Sequence, residues 1–284
     1  MAEYRKMITT MDLQKMKREK EKIAMVTAYD YPSARLAEEG GADIVFVGDS
    51  LGMVVLGYDS TIPVTLDDMI HHTKAAARGA RNSFILTDMP FLTYHGTVDG
   101  TLRNAARVMQ EAGSKAIKME GGAEIAEHLQ ACVRAGIPVM GHIGLTPQAV
   151  HQFGGYKVQG KSAEQAQRLL ADARALEQAG AFAIVLEMVP EELATLITEQ
   201  IQIPTIGIGA GRYTDGQVLV YHDLLQYASP IKPKFVKAYA ELGAAAMNGI
   251  SAYVEEVKGS KFPSEEHVFH MNAEIIQQLA DHDK

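Results

Sequence analysis

The chain has 284 residues, 47% apolar and 22% charged, enough to bury a large core in a water-soluble protein. Its net charge of −8 leaves no electrostatic footprint for nucleic acid, and a single cysteine, Cys132, excludes a disulfide framework within the chain. No stretch reads as a bilayer span, and residues 1–22 lack the apolar run of a signal peptide, so a cytoplasmic protein without membrane or nucleic-acid partners is expected.

In chain order, a helix is expected over roughly 8–20. Short apolar runs then alternate with longer amphipathic segments. The runs are IAMVTAYD (23–30), ADIVFVGD (42–49), FILTDMP (84–90), AIKMEGG (116–122), PVMGHIG (138–144), AFAIVLEMV (181–189) and PTIGIGAG (204–211). Several lack polar alternation, as strands buried on both faces of a parallel sheet do. An eighth run, QVLVYHDLL (217–225), is weaker and reads equally as the start of a helix. Four junctions (EEGGADIVFV, QEAGSKAIKM, VRAGIPVMGH and EQAGAFAIVLE) end a helix in glycine and enter a strand, the punctuation of stacked βα units. Cys132 falls in a helical stretch and reads as a packed residue. After residue 230, helices are expected around 239–258 and 264–282.

The pattern predicts one α/β domain over 1–284, a (β/α)₈ barrel of the TIM type. Residues 1–22 form an N-terminal extension and 230–284 supply C-terminal helices. A doubly wound open sheet is the alternative, and the lack of GxGxxG after the first strand weakens a dinucleotide-binding version of it.

In such a barrel the active site is built at the C-terminal ends of the strands. The runs end in Asp30, Asp49, Asp88, Glu120, His142 and Glu187. Carboxylates are depleted in strands, so this concentration calls for an explanation. Converging like charges also need a counter-charge. Lys118, two residues before Glu120 and on the same side of its strand, supplies part of it. Oxygen-rich, cysteine-free surroundings point to a hard cation such as Mg²⁺, with Asp49 and Asp88 as ligands and Glu120 binding directly or through water. Glu187 closes the most apolar strand and suits proton transfer. Asp30 is as compatible with helix capping as with chemistry, and His142 with a core role. GIGAG (207–211) resembles a phosphate cradle only superficially. GGYKVQGK (154–161) reads as a lid or a solvated connection, and His71–His72 do not share a helix face.

Longer blocks carry a resemblance. VTAYDYPSA (26–34), GDSLGMVVLGY (48–58), TDMPF (87–91), KMEGG (118–122), GHIGLTPQ (141–148), FGGYKVQG (153–160), LEMVP (186–190), GIGAGRYTDGQVLV (207–220) and EEHVF (265–269) resemble the ketopantoate hydroxymethyltransferase family, in order, from about residue 5 to 270. The resemblance implies a Mg²⁺-dependent transferase of pantothenate biosynthesis. Such an enzyme moves a one-carbon unit from the co-substrate 5,10-methylenetetrahydrofolate to 3-methyl-2-oxobutanoate through a stabilised enolate, giving 2-dehydropantoate. It also implies the barrel shared with phosphoenolpyruvate mutase and isocitrate lyase, and a homodecamer. By similarity, Asp49, Asp88 and Glu120 form the metal site, while Asp49, Ser50, Asp88 and Lys118 contact the 2-oxo acid. Glu187 matches the proton acceptor and His142 a pocket residue of open role. The alternative is a lyase or mutase of the same barrel superfamily, cleaving a C–C or P–C bond. Such relatives use a nucleophilic cysteine loop, and the loop after GHIGLTP has no cysteine.

Overall fold

The computed structural model describes residues 6–227 and 233–282. The first helix, α1 (Thr10–Glu19), starts at a capping box: the Thr9 hydroxyl accepts from the Asp12 amide, and the Asp12 carboxylate accepts from the Thr9 amide. There follow β1 (Ile23–Thr27), α2 (Tyr31–Glu39), β2 (Ile44–Val47), α3 (Leu51–Val54) and α4 (Leu66–Gly79). Next come β3 (Phe84–Asp88), α5 (Val98–Ala112), β4 (Ala116–Glu120), α6 (Ala126–Arg134) and β5 (Val139–Gly144). The second half runs α7 (Val150–Phe153), α8 (Ala163–Gln178), β6 (Ala183–Glu187), α9 (Glu191–Gln200) and β7 (Thr205–Ile208). It ends with β8 (Gly216–Leu219) and α10 (Tyr221–Leu224), then α11 (Leu242–Lys258) and α12 (Ala273–His282).

The strands pair in parallel in chain order and β8 closes on β1, giving a closed eight-stranded barrel rather than an open sheet. The junction glycines explain the regular alternation. Gly41, Gly113, Gly136 and Gly180 have φ of 92°, 76°, 88° and 100°, a region that costs other residues strain, so each helix stops where its strand must begin. The ambiguous run at 217–225 contains both elements, a four-residue strand and then a single helical turn. Gly216 permits that strand to close the barrel, since a Cβ there would lie 2.5 Å from the Ile23 carbonyl oxygen.

The barrel's lower interior decides where chemistry can sit. Leu13 and Met16 of α1 share a buried cluster with Ile23, Ile44, Phe84 and Phe182, all at or beside strand starts. Lys17 reaches from α1 to Asp215 at 2.8 Å, next to β8. Helix α1 therefore covers the N-terminal end of the barrel, opposite the strand ends that carry the carboxylates. Cys132 is fully buried in α6, as a packed residue, and burial pushes its thiol up to about 11. No residue of α11 is buried. Among the described residues, no helix is long and apolar enough to cross a membrane.

Candidate active site

Strand register brings the polar side chains together at the C-terminal ends of the strands. Asp88 stands opposite Lys118 across β3–β4, and Glu120 stands opposite His142 across β4–β5. Lys118 and Glu120 are two residues apart and share the inward face. The Lys118 ammonium lies 2.8 Å from Asp88 Oδ1, 3.8 Å from Glu120 Oε1 and 3.0 Å from His142 Nδ1. The Asp49 amide donates to Asp88 Oδ2 at 3.0 Å, tying the end of β2 to β3. On the other side, His142 Nε2 lies 3.3 Å from Glu187 Oε2 at the end of β6.

Burial grades this cluster. Asp49, Asp88, Lys118, Glu120 and His142 are each at most 4% exposed, whereas the Glu187 side chain, last in its strand, keeps 15%. The base candidate therefore sits nearer the mouth than its apolar strand suggested, where a substrate can reach it. Burial drives the Asp49 carboxyl well above the usual range, helped by Asp88 and Glu120, and burial likewise raises Asp88 and Glu120. For Lys118, burial is outweighed by the carboxylates of Asp88, Glu120 and Asp49, so the group is held charged. Burial and the neighbouring ammonium push His142 down, keeping it neutral. An ammonium can only donate, so Nδ1 accepts and the imidazole proton stands on Nε2, facing Glu187. The angle at Nε2 falls outside that of a formed hydrogen bond, and this nitrogen has no other partner.

The residues fit a divalent cation. Three buried carboxylates face one ammonium and a neutral ring, a deficit of positive charge in low dielectric. Asp88 Oδ1 has the Lys118 charge beside it but receives no hydrogen bond of normal direction. Among the described residues no three His, Cys, Asp or Glu side chains stand as a ready cage. Mg²⁺ commonly takes only one or two carboxylates and keeps positions for water and substrate oxygens.

Two residues of the cluster were not singled out from sequence. Gln148, 4% exposed, donates its side-chain amide to Asp49 Oδ2 and Met89 O, both at 2.9 Å, and its backbone amide to Glu120 Oε2 at 3.0 Å. Tyr94, fully buried, donates its hydroxyl to Gln148 Oε1 at 2.8 Å and accepts from the Glu120 amide at 3.0 Å. Gln148 lay inside the GHIGLTPQ block and was readable as a polar residue in a mouth loop; nothing marked Tyr94. Ser50 lies beside Asp49, its hydroxyl 2.8 Å from Tyr29 Oη.

Other sequence features resolve into structural duties. Asp30 caps α2, accepting from the Ser33 amide at 2.8 Å, and lies outside the cluster. The GIGAG glycines make room for the chain's own side chains. Gly211 faces Glu191, whose carboxylate accepts from the Arg212 amide at 2.9 Å. His72 Nδ1 bonds the Tyr29 carbonyl at 2.6 Å. The loop after α7 leans over the mouth: Tyr156 Oη reaches Met53 Sδ at 3.6 Å, and burial, with Glu187 nearby, raises its phenol.

Fold and site together define a (β/α)₈ barrel with a buried cluster of carboxylates, Lys118 and His142 at one end. Residues 7–265 match the family model described as ketopantoate hydroxymethyltransferase. The curated 3-methyl-2-oxobutanoate hydroxymethyltransferase of Halalkalibacterium halodurans is 57% identical over 273 residues, covering 96% of this chain and 98% of that one. The protein of the same name from Carboxydothermus hydrogenoformans is 57% identical over 272 residues, covering 96% and 99%. Among solved structures, phosphonopyruvate hydrolase aligns with a TM-score of 0.60 at 13% identity, covering 96% of this chain and 95% of its own. The 2,3-dimethylmalate lyase of the PEP mutase/isocitrate lyase superfamily gives 0.56 at 17%, covering 98% and 96%. These two likenesses show the shared barrel alone. The chain belongs to the ketopantoate hydroxymethyltransferase family and is a transferase enzyme.

Proposed function

We propose that this chain, as one barrel unit, transfers a hydroxymethyl group from 5,10-methylenetetrahydrofolate to 3-methyl-2-oxobutanoate. The products are 2-dehydropantoate and tetrahydrofolate, an early step of pantothenate and coenzyme A biosynthesis in the cytoplasm. The observation that carries the reading is the placement of Glu187, at the mouth, against a neutral His142 that backs onto the Asp88–Lys118–Glu120 cluster. It stands in a chain 57% identical to relatives carrying the enzyme's name.

Asp49 and Asp88 would hold Mg²⁺, with Glu120 as the third acidic group, directly or through a water. When bound, the ion supplies Lewis-acid polarisation of the 2-oxo acid's ketone, which acidifies the C3 proton. Lys118, fixed in its charged form, offsets the substrate carboxylate and the oxyanion that develops on proton loss. Ser50, next to Asp49, would donate to the substrate. Glu187 takes the C3 proton onto Oε2, within reach of the imidazole proton on His142 Nε2. Water adds to the folate-borne methylene carbon and both of its C–N bonds break, releasing tetrahydrofolate; the C3 carbanion forms the new C–C bond to that carbon, and the water oxygen, protonated, becomes the hydroxyl.

The lyase or mutase alternative has no support from the cysteine inventory, because Cys132 is buried in an outer helix away from the mouth. The deciding assay supplies 3-methyl-2-oxobutanoate, 5,10-methylenetetrahydrofolate and Mg²⁺ and follows tetrahydrofolate and 2-dehydropantoate together. Equal accumulation of both is expected. Cleavage of a 2-oxo acid without use of folate would overturn the proposal.

A further inference from the structure

Gln148 has more to do than pack. Its side-chain amide offers two N–H donors and one carbonyl, and all three are used by the cluster. The two N–H groups go to Asp49 Oδ2 and the Met89 carbonyl, each at 2.9 Å. The carbonyl receives the Tyr94 hydroxyl at 2.8 Å. Tyr94 in turn accepts from the Glu120 backbone amide at 3.0 Å, and the Gln148 backbone amide donates to Glu120 Oε2 at 3.0 Å. One residue from the loop after β5 thus grips the ends of β2, β3 and β4. These are the strands that bring Asp49, Asp88 and Glu120 together.

The orientation of an amide is set only by its partners, since its oxygen and nitrogen ends have nearly the same shape. Here the Met89 carbonyl decides it, because it can only accept, so the NH₂ end must face Met89 and Asp49. The Tyr94 hydroxyl is left beside Oε1 at 2.8 Å, with the Glu120 carbonyl as a second acceptor at 3.1 Å. Occupying Asp49 Oδ2 with a donor leaves Oδ1 as that carboxylate's free oxygen. It also discourages the side chain from turning away from the electrostatic pressure of Asp88 and Glu120.

We propose that Gln148 is the positioning residue of this site. Its side-chain amide, oriented by the Met89 carbonyl and backed by Tyr94, holds Asp49, and its backbone amide holds Glu120, in the arrangement that accepts a divalent cation. The proposal rests on the cation reading given above and adds residues that do not touch the ion. Groups that orient ligands from behind typically change metal affinity or activity about 10–100-fold when removed.

The test is calorimetric titration of the metal-free protein with Mg²⁺, without substrate. Gln148→Leu is expected to weaken Mg²⁺ binding at least about 10-fold. Tyr94→Phe, which deletes one buried oxygen, is expected to weaken it less. The double variant is expected to lose less than the sum of the two single losses, because the hydroxyl acts in part through the amide. A purely structural role predicts independent, additive losses instead. Circular dichroism and melting of the metal-free proteins separate lost affinity from lost folding. If Gln148→Leu does not fold, Tyr94→Phe carries the test, with weakened binding expected and unchanged binding contrary. Wild-type affinity in Gln148→Leu, or additive losses in the double variant, overturns the positioning role alone. An unaltered chain that takes up no Mg²⁺ overturns the cation reading and this proposal with it.

Discussion

Asp49, Asp88 and Glu120 give up water for a pocket that returns only one ammonium and a few donors, so this cluster is held against its own electrostatics. The two signs of charge in it should respond oppositely to neutralisation. Asp49→Asn in the metal-free protein removes a burdened charge while keeping the shape, and is expected to raise stability by about 1 kcal/mol while abolishing turnover. Its advantage grows with pH. The folded carboxyl of Asp49 is raised, so the native residue costs nothing when protonated in acid and loses stability as pH rises through its folded pKa. Lys118→Met strands the carboxylates and is expected to destabilise by about 3 kcal/mol or more. Thermal melts across pH check both signs, and equal losses in the two variants would contradict the charge account. The strand-end carboxylates, Lys118 and His142 were legible because aspartate, glutamate, lysine and histidine are out of place in apolar runs. Gln148 and Tyr94 were not. Their partners lie 99 and 54 residues away respectively, at Asp49 and Gln148, and only the closed barrel brings them together.

At the scale of elements, the helix-to-strand junctions carry the alternation, and glycine identity matters there for two separable reasons. At Gly113, φ is 76° and the nearest atom to an added Cβ is 3.7 Å away, so alanine meets conformational strain alone. At Gly180, φ is 100° and a Cβ would stand 2.9 Å from Val133 Cγ1, so strain and a clash combine. Gly113→Ala is expected to cost about 1–2 kcal/mol, and Gly180→Ala more, with kcat unchanged in Gly113→Ala; denaturant melts rank them. The reverse order would show that these turns are not governed by backbone conformation. The same junctions marked four of the strands, and the apolar runs made seven readable from sequence. The eighth resisted because its strand is only half buried and its apolar run continues straight into a helical turn at Tyr221.

At the scale of the whole molecule, α1 covers one end of the barrel, opposite the strand ends that carry the carboxylates. The C-terminal region presents apolar surface that the barrel does not use. Met247, Ile250 and Tyr253 of α11 are 62%, 65% and 55% exposed. Such a helix supports the reading of a homo-oligomer, decameric by the family resemblance. Light scattering on a sizing column is expected to give a mass several times the chain's 30.9 kDa, falling when Ile250→Glu is introduced; a monomer in the unaltered protein would contradict it. The central claim, that Glu187 removes a proton from a 2-oxo acid held at the acidic cluster, has a direct measurement. Proton NMR in deuterated water follows loss of the C3 hydrogen of 3-methyl-2-oxobutanoate with enzyme and Mg²⁺ but no folate. The account predicts exchange by the unaltered enzyme, none after chelation of the metal, and none with Glu187→Gln in a protein that still folds. Exchange persisting in folded Glu187→Gln would contradict it.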